Sequence, residues 1–174
     1  MKPEVHERLR ELSDETDKEY GKLVQKLLAI AFLEAGAEAV TDRCTQGIDL
    51  ELTWRGRRRA LEVKTCAGGT LRLGAKDLAG LAAREEGGAT AYVAVLGGRL
   101  LDEWIIARFH RGELAPGELY SITRLRPYRE AELEAAVAAK FDDALHEHRA
   151  AAAGRNGQRA LDDVLARYPG YRRA

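Results

Sequence analysis

Apolar and polar residues alternate in two close runs near the middle of the chain, Ile48 to Trp54 (IDLELTW) and Arg58 to Thr65 (RRALEVKT). A period of two with β-branched and apolar residues marks strands that bury one face. Between the runs stands Arg55-Gly56, a two-residue hairpin turn signal. With that turn, paired positions sum to 111, so Asp49 falls opposite Glu62, and Lys64, two residues further on, shares their face. Leu50, Leu52, Leu61 and Val63 form the opposite, apolar face.

Upstream the period changes to that of a helix. Leu23, Leu27, Ile30 and Leu33 form one stripe of a helix that runs to about Glu34, with Gly36 as its stop. Thr16-x-x-Glu19 matches a capping box opening that helix, and Pro3 to Leu12 reads as a shorter helix before it. Ala39 to Arg43 is expected to be the first strand, Gly68-Gly69 a turn, and Lys76 and Asp77 the start of the next helix. Ala89 to Leu96 reads as a buried strand and Glu103 to Phe109 as a further strand on the sheet edge. Helices are expected over Glu130 to Ala153 and from Gln158 to Arg167, the latter ending before Pro169. Together these elements predict an α/β fold: a mixed sheet of four or five strands flanked by helices, with the hairpin at one edge. The main domain is expected over residues 1–125, with a C-terminal helical extension over 126–174 that serves packing or dimerisation.

Composition changes this picture little. The chain has 174 residues and 45% hydrophobic content, enough for one ordinary core and an appendage. It contains no run of about 18 apolar residues, and its charged start, MKPEVHERLRELSDE, does not read as a signal peptide, so a cytoplasmic protein with no membrane association is expected. The pairing rule sets Cys66 opposite Thr45, beside Cys44, but a reducing compartment argues against a bridge. Net charge is zero, yet from Trp54 to Arg72 there are six basic residues against one acidic. Arg57, Arg58, Arg59 and Arg72 are therefore candidate contacts for backbone phosphates, or else charges that protect a solvated sheet edge. From Arg108 to Arg129 five arginines face two glutamates, with His110, Tyr120 and Tyr128 interleaved. That stretch reads either as a second nucleic-acid surface or as a loop covering the core.

The candidate chemistry lies on the hairpin. Two carboxylates about 5 Å apart repel each other unless a cation sits between them, and hard oxygen donors suit Mg²⁺ or Mn²⁺. Asp49 and Glu62 are the candidate metal ligands, with Glu51 on the same face as either a solvated charge or an auxiliary ligand.

The pattern Asp49-x12-Glu62-x-Lys64, on a hairpin that follows a helix, resembles the PD-(D/E)XK nuclease superfamily, whose fold is restriction-endonuclease-like. GKLVQKLLAIAFLEAG looks like that family's first helix, GIDLEL its metal strand, ALEVKT its second motif, LRLGAKDLAGLAA its following helix and AYVAVL the next strand. This αβββαβ order looks most like the archaeal Holliday-junction resolvases. Two positions depart from the pattern: Ile48 stands where the family name has proline, and Gln25 where many members have glutamate.

The resemblance implies metal-assisted hydrolysis of a phosphodiester in DNA. It implies that Asp49, Glu62 and the Val63 carbonyl hold Mg²⁺ or Mn²⁺, and that Lys64 orients or helps deprotonate the attacking water and offsets transition-state charge. Gln25 would hydrogen-bond a metal-bound water, and a polar residue at the next helix start, Lys76 or Asp77, would face the phosphate, with Lys76 the candidate nucleic-acid contact. A homodimer is expected, because junction and duplex cutting need two sites. Within this reading stand a structure-selective repair or recombination enzyme and a sequence-specific restriction or homing nuclease. A nucleic-acid-binding protein that keeps the fold without cutting is the reading from another class.

Overall fold

The computed structural model describes residues 3–16, 19–43, 47–66, 68–97 and 103–174, with the backbone alone for 3–6, 15 and 16. The hairpin forms in the register the sequence dictates. Strands β2 (Leu50–Trp54) and β3 (Arg57–Thr65) pair antiparallel from Leu50↔Leu61 to Trp54↔Arg57, positions that sum to 111. Arg55 and Gly56 both take positive φ, 52° and 69°, the geometry whose twist matches the flanking strands.

The hairpin is central rather than peripheral. Strand β1 (Ala39–Asp42) pairs antiparallel with β2, while β5 (Thr90–Gly97) runs parallel to β3 and β6 (Glu103–Arg108) antiparallel to β5. A short strand β8 (Tyr171–Arg173) adds parallel to β1, giving one sheet of six strands in the order β6-β5-β3-β2-β1-β8. The expected count of four or five is too low because β8 is a three-residue edge strand with two arginines, held through its backbone and lacking the apolar pattern of a buried strand. A two-stranded ribbon of β4 (Thr70–Arg72) and β7 (Leu119–Ser121) lies apart from the main sheet. β5 is buried along nearly its whole length, as expected for a strand covered on both faces.

One face of the sheet carries the apolar hairpin residues Leu50, Leu52, Leu61 and Val63 in a core shared with four helices. These are α1 (Pro3–Thr16), α2 (Tyr20–Glu34), α4 (Ala131–Ala153) and α5 (Gly157–Leu165). α2 is buried almost all round because the sheet lies on one side and the C-terminal helices on the other. Phe141, Leu145, Leu161 and Leu165 are fully buried, so α4 and α5 contribute directly to this core. The second core, on the opposite face, joins Ile48, Ala60, Val93, Val95 and Ile105 to Leu81 of α3 (Ala75–Glu86) and to Tyr120 and Leu125. The basic stretch after Arg108 contributes β7 and a 3-10 segment, Ile122–Tyr128, and covers this core.

Thr16 is the last residue of α1, so it does not cap α2, whose N-cap is Glu19 with no side-chain hydrogen bond. Cys66 is buried and free, whereas Cys44 and Thr45 lie outside the described residues. Among the described residues no helix is long and apolar enough to cross a membrane.

Candidate metal centre

Three side chains from the two hairpin strands meet helices from both layers at the end of the sheet. Glu62 stands on the α3 side, only 5% exposed, because its neighbours on that face, Ala60 and Val93, belong to the second core. Lys64 lies two residues along the same face and donates to Glu62 at 2.6 Å and to Asp77, in the first turn of α3, at 2.9 Å. Asp77 is fixed in turn by the backbone N–H of Gly74, 2.9 Å away.

The ladder stops one pair short of the expected Asp49–Glu62 match. The Asp49 N–H turns back to the Leu61 carbonyl at 3.1 Å, and the Asp49 carboxylate accepts the Val63 N–H at 2.9 Å. The side chain thereby takes over a backbone hydrogen bond, and its direction is set by the strand that carries Glu62 and Lys64. Ile48, the residue before it, is 3% exposed in the second core and anchors the approach to Asp49. That approach is tight: a Cβ built on Gly80 of α3 would lie 1.6 Å from the Gly47 carbonyl oxygen.

Charge at this point is strongly coupled. Burial, then the neighbouring Asp49 carboxylate, pushes the Glu62 carboxyl up to about 7 despite the Lys64 ammonium beside it. Burial also works against the charge on Lys64, but Glu62 and Asp77 together outweigh it and hold the ammonium above the usual lysine range. For Asp77 burial is likewise the largest influence, and the Gly74 N–H and Lys64 overcome it to hold the carboxyl below its usual range.

Gln25 is 3% exposed and reaches Asp49 through the backbone, donating from Nε2 to the Asp49 carbonyl at 3.1 Å and to Asp42 Oδ1 at 2.6 Å. Its Oε1 accepts from Lys22 at 2.8 Å. Gln25 therefore belongs to a buried polar chain. Asp42 Oδ2 accepts from Lys26 at 2.8 Å, and Lys26 also donates to Asp162 of α5 at 2.5 Å. Tyr171 and Arg173 of β8 close on Asp42 and Asp162.

The basic residues divide. Arg57 and Arg58 are exposed, and Arg58 shares the face of Ala60 and Glu62 but lies four residues from Glu62, roughly 13 Å along the strand. Arg59 is not a surface phosphate contact: it is 8% exposed, pairs with Leu52 on the apolar side, stacks against Trp54 and Tyr92 and donates to the Tyr92 hydroxyl at 2.8 Å. Arg72 and Lys76 are exposed, with Lys76 next to Asp77 at the start of α3. Glu51 is held by Arg43 at 2.9 Å and Arg84 at 2.5 Å, a structural ion-pair cluster. Lys22, Asp42 and Lys26 carried no local signal beyond the helical spacing of Lys22 and Gln25 at i, i+3.

Among the described residues no group of three or more His, Cys, Asp and Glu side chains is placed to hold a metal. The candidate donors are two carboxylates, and Mg²⁺ is commonly held by one or two carboxylates while keeping several waters. A buried Glu62 that shares its charge with Asp49 suits such a cation, which would relieve both the desolvation and the repulsion.

No family model matches the chain, and no curated protein matches it in sequence. Among solved structures it is similar to Hjc of Archaeoglobus fulgidus, a Holliday junction resolvase from an archaeal hyperthermophile, with a TM-score of 0.53 and 21% identity. The match covers 66% of this chain and 95% of that one. The shared feature is the fold: a mixed sheet flanked by helices, restriction-endonuclease-like, to which this chain adds about a third of its length.

Proposed function

We propose that the chain is a divalent-metal-dependent DNA endonuclease, structure-selective in the manner of a Holliday-junction resolvase, and that it acts in the cytoplasm as a homodimer. The observation that carries this reading is the meeting of Asp49, Glu62 and Lys64 at the end of β2 and β3, with the Glu62 carboxyl buried and pushed up to about 7. Asp49, Glu62 and the Val63 carbonyl would hold the Mg²⁺ or Mn²⁺. Bound there, the ion would supply charge stabilisation at the phosphate oxygens and a bound water of lowered pKa.

The chain's own residues do the remaining work. Asp49 is aimed by the Val63 N–H and by the Gln25 contact to its carbonyl, so the direction of its carboxylate is set before a ligand arrives. Lys64, held between two carboxylates at 2.6 and 2.9 Å, is placed to orient the attacking water or to donate a hydrogen bond to the phosphate. Exposed Arg57, Arg58, Arg72 and Lys76 are proposed to neutralise DNA phosphates away from the reacting centre.

The test is cleavage of labelled four-way junction, flap, single-stranded and linear duplex DNA with Mg²⁺ or Mn²⁺, using the native chain, Glu62→Ala and Lys64→Ala. Metal-dependent cutting abolished by both substitutions supports the reading, and the preferred substrate separates a junction enzyme from a sequence-specific restriction or homing nuclease. Salt-sensitive DNA binding without cutting overturns it in favour of a binding protein.

A further inference from the structure

Lys22 stands out because the hairpin reading leaves it without a role. It lies in the first turns of α2 with its side chain 51% exposed, yet its ammonium is held at two points: Asp49 Oδ1 at 3.0 Å and Gln25 Oε1 at 2.8 Å. The other Asp49 oxygen is taken by the Val63 N–H. One carboxylate oxygen therefore faces a strand amide, and the other a cation on a flexible four-carbon stem.

A divalent ion and the Lys22 ammonium compete for the same oxygen. An ion on Asp49 Oδ1 cannot share it with an ammonium 3.0 Å away without charge repulsion, so the lysine must leave. The stem is half in solvent, and release breaks a largely exposed ion pair and one hydrogen bond to Gln25 Oε1, so displacement costs little beside the charge gained at Asp49. The freed ammonium remains within a side chain's reach of Asp49, on the α2 side of the site opposite Lys64, where a phosphate bound to the metal would bring negative charge.

Resting on the metal-site reading above, we propose that Lys22 is a tethered counter-ion of Asp49 which an incoming divalent cation displaces, and which then engages a DNA backbone phosphate at the reacting centre. Lys22 and Lys64 thus bracket the site from two elements. Lys64 is fixed by Glu62 and Asp77, whereas Lys22 exchanges partners.

The test compares Lys22→Met with the native chain by Mn²⁺ titration calorimetry without DNA and by steady-state cleavage of the preferred DNA substrate. Removing the competitor is expected to tighten Mn²⁺ binding roughly two- to fivefold, the size of one exposed ion pair, while lowering kcat roughly tenfold or more. Glu62→Gln serves as the control that weakens Mn²⁺ binding. The opposite signs separate this role from a structural one, since a lysine that merely shaped the site would lose affinity and turnover together. Mn²⁺ affinity unchanged or weakened in Lys22→Met, with native binding intact, overturns this inference alone. A native chain that binds no Mn²⁺ overturns the metal site itself and this inference with it. A Lys22→Met chain with tightened Mn²⁺ binding and native kcat refutes the phosphate contact and leaves only the counter-ion.

Discussion

Substituting Gly80 with alanine sets two effects of opposite sign against each other. In a helix interior, Gly→Ala ordinarily gains about 1 kcal/mol, because glycine loses more backbone freedom on folding. At Gly80, however, the new methyl carbon would lie 1.6 Å from the Gly47 carbonyl oxygen, 2.3 Å from its carbon and 2.6 Å from its Cα. Ordinary contact begins near 3.4 Å, so helix and loop must separate by about 1.8 Å (3.4 minus 1.6). The atoms in the way are backbone, and Ile48, next along the loop, is locked in the second core. Overpacking of this kind costs about 1–3 kcal/mol, and with rigid backbone in the way the upper part of that range applies, leaving a net loss of up to about 2 kcal/mol after the helix gain. The displaced loop carries Asp49, and a misplacement of about 1 Å at a reacting centre costs on the order of a hundredfold in rate. Gly21→Ala is the matched control: Gly21 lies in α2, and its Cβ would meet nothing within 4 Å. Urea denaturation should show Gly21→Ala as stable as or more stable than the native chain and Gly80→Ala less stable, with Mn²⁺ affinity reduced only in the latter. A Gly80→Ala chain stabilised like Gly21→Ala would refute the close approach of loop and helix.

Other substitutions test other parts of the site. Because the folded Glu62 carboxyl titrates at about 7, above its ordinary value of 4.5, the folded metal-free protein binds the proton more tightly than the unfolded chain, and stability falls as pH rises between those values. Without metal at pH 8, Glu62→Gln should be more stable than the native chain by about 3 kcal/mol in urea denaturation, a difference that shrinks towards pH 4.5; a flat difference across that range would show that burial does not govern Glu62. Lys26→Met leaves Asp42 buried without its cation and should cost about 3 kcal/mol, lowering Tm by roughly 6–12 °C; a shift of under a degree or two would mean that the pair contributes nothing. Lys76→Ala should reduce the salt slope of DNA binding by about 1, whereas Arg59→Ala should lower stability and leave the slope unchanged, both read from binding across a salt series and thermal melts.

Local rules carry the sequence a long way in the hairpin. A turn pair with positive φ and strict alternation set the register from Leu50↔Leu61 to Trp54↔Arg57, and the same alternation separates the apolar face from Glu62 and Lys64. The ladder's end at Asp49 is not legible in this way, because a side chain there replaces a backbone partner. Charge clustering alone misplaces Arg59: its register opposite Leu52 points it to the apolar side, where Trp54 and Tyr92 accommodate a guanidinium. Lys22 meets Asp49 across 27 positions of sequence and Lys26 meets Asp162 across 136, and no periodicity reports such pairings. β8 escaped for a related reason: its place is set by an open edge on β1, a property of the assembled sheet.

The buried chain from Asp162 through Lys26, Asp42 and Gln25 to the Asp49 carbonyl has a consequence for the order in which the molecule is made. A nascent chain that has emerged only as far as α3 holds Asp49, Glu62 and Lys64, yet Lys26 still has a single carboxylate partner and the β1 edge is open. Translation must proceed more than a hundred residues past Asp49 before Asp162 and β8 arrive to close the layer. Asp49 thus receives this support only after Asp162 and β8 have been made, well after its own strand.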